Sequence, residues 1–233
     1  MSASSTDTRT ALLEAAALCF AEHGYSGTSM RMIADRAQRP FSLITHHFKT
    51  KEAFYVEVFR HMFQNVLQTT LKHQTLPADV WPRDKQEAVQ VLREAYHSIY
   101  QEVSLGPNSS DRLRDCWPRI WLQESPAPRP SLHPLLKEYF GPTLTTFCKC
   151  VQTLRPDLGK AEVNLLATSV LGIVLSHGFL CGLNQVVFGE KEASENFFQS
   201  AERLLDLCLY GLLNGPETKS IKAKMTHKNF DQT

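Results

Sequence analysis

Residues 28–48 read TSMRMIADRAQRPFSLITHHF, and the fold follows from this stretch. Its apolar positions form two short helical sets. Met32, Ile33, Ala34 and Ala37 mark the first, and Phe41, Leu43, Ile44 and Phe48 the second. Thr28 and Ser29 are candidate N-caps, because a hydroxyl there accepts a bond from a helical N–H that lacks an intrahelical partner. Pro40 suits the first turn of the second helix, where a missing N–H costs nothing. Two short helices joined by a tight turn bury too little alone, so a third is required. Residues 8–23 supply it. Leu12, Ala15, Ala16, Cys19 and Phe20 recur at helical spacing, and Gly24 is placed to end the run. The small side chains of Ala15, Ala16, Ala17 and Ala34 let the three helices approach closely.

Outward from this unit, the periodicity stays helical. Thr50 can cap a fourth helix, with Glu52 near its positive end, running to about residue 73. Two prolines break the pattern over 76–83. Further helices are predicted over about 84–103, 111–123, 132–154, 160–187 and 191–213. Pro118 is expected to bend or interrupt the second of these, and Gly141-Pro142 to kink the third. Ser125-Pro-Ala-Pro-Arg-Pro130 reads as an extended linker. No stretch alternates with period two, so the class is all-α. The domains expected are an N-terminal three-helix unit over 1–50, a larger helical part over 51–215, and a disordered polar tail over 216–233.

Bulk composition is neutral on partners: among 233 residues the formal net charge is +1. The six cysteines, at 19, 116, 148, 150, 181 and 208, form no CxxC motif. Reduced, buried thiols in a cytoplasmic protein are expected, with no metal and no cofactor. The N-terminus has neither a basic nor an apolar leader region, so no signal peptide is expected. Residues 163–189 carry no formal charge and are long enough to span a bilayer. Thr168, Ser169, Ser176 and His177 within them favour a helix at the centre of a bundle, but a membrane-associated helical protein stays open as an alternative. A helical enzyme is the other alternative, although no nucleophile–base pair, Gly-rich phosphate loop or metal-ligand spacing supports it.

The order Arg9, Leu13, Ala15-Ala16, Phe20, Gly24-Tyr25, Thr28-Ser29, Ile33-Ala34, Ala37, Ile44, His47-Phe48, Lys51-Glu52 and Val58 resembles the N-terminal signature of the tetracycline-repressor (TetR) family. It covers roughly a quarter of the chain. Two places depart from the family pattern. Gln38-Arg39-Pro40 replaces a turn that usually reads Gly-Val-Ser or Gly-Val-Asn, at a cost if that first position needs a positive φ. Thr45 stands where tyrosine is usual.

The resemblance implies a helix-turn-helix that places the helix at about 40–47 in the major groove of a double-stranded DNA operator. Phe41, Ser42, Thr45 and His46 would then reach bases or phosphates, and Ser29, Arg31, Arg39 and Lys51 would mainly contact phosphates. His47 is favoured as an interhelix packing residue, and Arg36 is equally readable as a solvated charge. The first sixty residues hold seven Lys/Arg and six Asp/Glu. So neutral a unit should bind DNA weakly alone, and a homodimer is expected. The resemblance also implies that the larger C-terminal part binds a small-molecule effector and dimerises, the latter through the helices at 160–187 and 191–213. Tyr96, Tyr100, Trp117, Trp121, His133, Phe147 and His177 are the candidates for effector contact, with Trp81 and Phe140 among the other aromatic residues of this region. Repression, relieved by the effector, is what the family implies.

Overall fold

The computed structural model describes residues 5–67, 75–104, 112–189 and 197–215. Among these residues the structure is helical, with no strand. The helices are α1 (Ser5–Gly27), α2 (Met30–Arg36), α3 (Phe41–His47), α4 (Lys51–Met62), α5 (Lys85–Ser104), α6 (Arg112–Glu124), α7 (His133–Leu154), α8 (Lys160–Phe188) and α9 (Phe197–Asn214). The expected tail 216–233, the end of the predicted fourth helix and the start of the last one lie outside the described residues.

The described residues form two compact units. One lies within Met1–His73 and Glu102–Gly141, the other within Gln74–Gln101 and Pro142–Thr233. In the first, Leu12, Ala16, Cys19 and Phe20 of α1 are buried with Ile33 and Ala34 of α2 and Ile44 of α3, as the 28–48 pattern predicts. Phe54, Val58, Phe59 and Met62 of α4 and Ile120 of α6 complete this core. α6 packs along α1, and Gln123 donates to the Ala21 carbonyl at 3.4 Å. In the second, the buried positions include Leu92, Ala95 and Tyr96 of α5, Phe147 and Val151 of α7, Ala167 of α8, and Leu205 and Leu209 of α9. Arg93 of α5 pairs there with Asp206 of α9.

Several local expectations are corrected. Gly24 breaks α1 as predicted, at φ 68°, but a further helical turn follows to Gly27. Ser29 is the N-cap of α2; Thr28 instead donates back to the Cys19 and Gly24 carbonyls at 3.0 and 2.8 Å. Pro40 sits one position earlier than expected, at the N-cap of α3, and makes no side-chain cap bond. Thr50 does cap α4, accepting from the Ala53 N–H at 3.0 Å. That helix gives way at Phe63 to a π-helical turn reaching Leu67. α6 continues through Pro118, so that proline does not interrupt its helix, and α7 runs through Gly141-Pro142. Cys19, Cys116 and Cys150 are buried, whereas Cys148 and Cys208 are only half-buried.

Candidate nucleic-acid interface

The turn between α2 and α3 sets the interface. The Gln38 N–H bonds the Asp35 carbonyl at 3.1 Å, and the Arg39 N–H the Ala34 carbonyl at 3.0 Å. This pair is the Schellman pattern, which needs a left-handed residue after the C-cap. Gln38 takes that conformation, with φ 52°. The backbone is thus the one a glycine favours, built here with a side chain.

The turn projects α3 with Ile44 and Phe48 inward and one face outward. On the outward face, Phe41 is 44% exposed, an unusual position for so large an apolar ring. Ser42, Thr45 and His46 are exposed beside it. The Thr45 hydroxyl donates to the Ser42 carbonyl at 3.0 Å, so what it presents outward is an acceptor and a methyl group. The Ser29 oxygen is taken by the Met32 N–H at 3.1 Å. His47 is half-buried with its ring against Phe48, which agrees with a packing role.

Electrostatics separate the cations into two groups. Arg36 forms a double bond pair with Glu22 of α1, at 2.5 and 2.7 Å, which holds its guanidinium above its ordinary pKa. Arg9 pairs with Glu57, and Arg60 with Glu57 and Glu138. Arg31, Arg39, Lys49 and Lys51 stand in no ion pair among the described residues. Glu22 of α1 and Glu57 of α4 are thus taken up by Arg36, Arg9 and Arg60, whereas the cations that flank α3 in the sequence are not.

Lys51 is less exposed than its expected role suggests. Its Nζ lies 4.4 Å from the centroid of the Tyr25 ring, and burial first, then the Arg129 charge, lowers its pKa. Arg129 also lies over Tyr25, with Cζ at 4.0 Å. It pairs with Glu124, whose carboxylate is 1% exposed and accepts the Tyr55 hydroxyl at 3.1 Å. Sequence reasoning missed this group, because Tyr25 reads only as part of the family signature and Arg129 only as part of a linker, and nothing local brings two positions so far apart together.

The effector candidates fall in both units. In the first, Trp117 and Trp121 stack at 5.2 Å, Trp121 meets Phe140 at 5.2 Å, and Phe63 meets Trp117, Tyr139 and Phe140 at 4.9–5.6 Å. His133 is exposed there, its Nε2 3.0 Å from the Pro128 carbonyl. In the second, Tyr96 and Tyr100 stack at 6.0 Å and Phe147 is buried. The side chain of His177 lies outside the described residues. No cluster of metal-ligating side chains occurs among the described residues, and no helix there is long and apolar enough to cross a membrane.

Comparison with known proteins agrees with this architecture. The family model described as bacterial regulatory proteins, tetR family, matches residues 12–58. The transcriptional repressor AcnR of Corynebacterium glutamicum is 38% identical over 55 residues, 24% of this chain and 29% of that protein. The repressor Rv3405c of Mycobacterium tuberculosis is 34% identical over 112 residues, 47% of this chain and 58% of that protein. The chain thus spans between 29% and 58% of the length of these relatives. The crystal structure of a tetR-family regulatory protein from Rhodococcus RHA1 has the same fold, with TM-score 0.60 and 17% identity, covering 88% of this chain and 96% of that one. The spacing of residues 28–48, the Schellman turn that follows α2 and the family-model match converge on one region: residues 12–58 carry the N-terminal pattern of the bacterial regulatory proteins of the tetR family, and the described residues share the all-helical fold of the solved tetR-family protein.

Proposed function

We propose that the chain is a sequence-specific DNA-binding transcriptional regulator, a homodimeric repressor released by a small-molecule effector. The observation that carries this is the outward face of α3. Phe41, Ser42, Thr45 and His46 are exposed together on a helix held by a buried core, and Arg31, Arg39, Lys49 and Lys51 are in no ion pair among the described residues. A ring, a methyl group and hydroxyl acceptors suit the edges of bases in the major groove, and Arg31, Arg39 and Lys51 suit the flanking phosphates. The relatives AcnR and Rv3405c, both repressors by name, support the direction of control.

Dimerisation is supported by α9. Leu205, Leu209 and Leu212 face the interior, yet Leu204, Leu207, Tyr210 and Leu213 are exposed on the same helix. Leu165 and Val186 of α8 are exposed as well. A second copy would cover such faces in a four-helix interface. The effector site itself rests on the family resemblance, because the Phe63, Trp117, Trp121 and Phe140 rings pack against one another. Such an effector lowers DNA affinity only through its differential affinity for two forms of the dimer, one of which holds the recognition helices about 34–36 Å apart. A gel-shift titration against the DNA flanking its own gene tests the proposal. A retarded band at low salt is expected, and its absence counts against DNA binding.

A further inference from the structure

Arg129 lies between Pro128 and Pro130 in the segment joining α6 to α7, outside the helix-turn-helix. A residue before proline is kept out of the helical region, and Arg129 is extended at φ −58°, ψ 139°. Glu124, at the end of α6, holds it twice: Oε1 accepts the Arg129 backbone N–H at 2.6 Å and Oε2 pairs with guanidinium Nη1. The other guanidinium nitrogens donate to nothing among the described residues, and the side chain is 33% exposed. Its Cζ lies 4.0 Å from the centroid of the Tyr25 ring, and the Lys51 Nζ lies 4.4 Å from the same centroid. A rigid segment thus sets a second cation beside Lys51 on one ring.

We propose that Arg129 is a second phosphate contact beside Lys51, so that the α6–α7 segment carries the DNA interface beyond the helix-turn-helix. The proposal rests on the DNA-binding reading and on Lys51 as a phosphate contact. Both cations keep their place at Tyr25. The ring attracts them, and each head still has N–H donors to offer an oxygen. Two like charges gathered at one ring repel, and a phosphate brought to them relieves that repulsion. The planar guanidinium fork matches phosphate oxygens in a way that an ammonium does not. Successive phosphates of one strand follow at about 3.4 Å along the duplex axis, so neighbouring cations need not compete for one of them. Glu124 offsets part of the guanidinium charge but is itself only 1% exposed, and its two bonds fix where the fork stands.

The test is the salt dependence of DNA binding by the full chain, followed by fluorescence anisotropy across a KCl series. The labelled duplexes are the DNA flanking its own gene and an unrelated duplex of equal length. Each phosphate contact contributes about 0.9 to the slope of log affinity against log salt, so one made by both copies of a dimer contributes about 1.8. Arg129→Gln is expected to lower the slope by about 1.8 on both duplexes alike, since phosphate contacts carry no sequence information. Arg129→Lys keeps the charge and is expected to keep the slope. Lys51→Ala is expected to lower it as Arg129→Gln does, and the two combined to lower it about twice as much. Thermal melts report folding. If Arg129→Gln does not fold, Glu124→Gln with Arg129→Gln strands no buried charge and is expected to give the same slope as Arg129→Gln. An unchanged slope in the folded Arg129 variants, even with weakened affinity, means a structural role only and overturns the proposal. So does a combined variant with the slope of Lys51→Ala alone. An unchanged slope in Lys51→Ala sinks the reading of Lys51, and this proposal with it. No binding of either duplex by the unaltered chain sinks the DNA-binding reading itself.

Discussion

At the scale of single residues, Gln38 and Tyr55 carry the sharpest consequences. Gln38 holds a left-handed conformation at the hinge of the helix-turn-helix, which costs a side-chain-bearing residue about 1–2 kcal/mol. Glycine removes that cost but adds unfolded-state freedom. Gln38→Gly is therefore expected to raise stability by about 0.5–1 kcal/mol, read as a higher urea midpoint with unchanged slope. Tyr55 is buried against the Glu124 carboxylate, and burial first, then that charge, pushes its phenol far above the ordinary value of 10.0. The folded pKa is raised, so the stabilisation is fully present below pH 10.0 and is lost as pH rises beyond it. Tyr55→Phe loses a hydrogen bond to a charged group and is expected to be less stable by about 1.5–3 kcal/mol at neutral pH. The gap to the unaltered protein should narrow above pH 10.0 in pH-dependent melts. A gap that stays constant there would mean that Tyr55 titrates normally in the folded chain.

At the scale of elements, α3 divides cleanly between packing and presentation. Ile44 is fully buried, and Ile44→Ala is expected to cost about 2–5 kcal/mol by chemical denaturation. Phe41 and Thr45 face out, so Phe41→Ala and Thr45→Ala should leave stability within about 0.5 kcal/mol and change which duplexes are bound. For Ser42 and His46 this division was legible in the sequence, because they lie opposite Ile44 and Phe48 on the helix; for Phe41 it was not, since its spacing groups it with the apolar set and only its exposure shows that it faces out. The left-handed turn was half legible: Gln38 stood in the place of the family's glycine, but only its φ shows that the backbone kept the glycine conformation. The role of Thr28 was not legible, since a threonine next to a cap and a threonine that turns back to α1 look alike in one dimension. The Arg129–Tyr25 contact was also invisible, for it depends on α6 packing along α1, and no local periodicity encodes which helices meet.

At the scale of the whole molecule, two surfaces must cooperate for the proposed activity: the α3 face that meets DNA and the apolar face that joins two copies. Leu207 is 69% and Tyr210 67% exposed on α9, where polar residues would be ordinary for a monomer. Leu207→Glu with Tyr210→Glu should leave each chain folded, halve the mass at sedimentation equilibrium, and weaken operator binding by about 10²–10⁴-fold, as two linked half-sites become one. The six acids and seven basic residues of the first sixty leave one copy nearly neutral, which is why two copies are expected to share an operator. The most direct measurement is the affinity of the full chain for the DNA flanking its own gene, against an unrelated duplex of equal length, by fluorescence anisotropy at one fixed salt concentration. Tighter binding to the flanking DNA by about 10³-fold or more is expected, with the preference abolished when Phe41→Ala and Thr45→Ala are combined. Equal affinity for the two duplexes, or a preference that survives the loss of both α3 side chains, would contradict it.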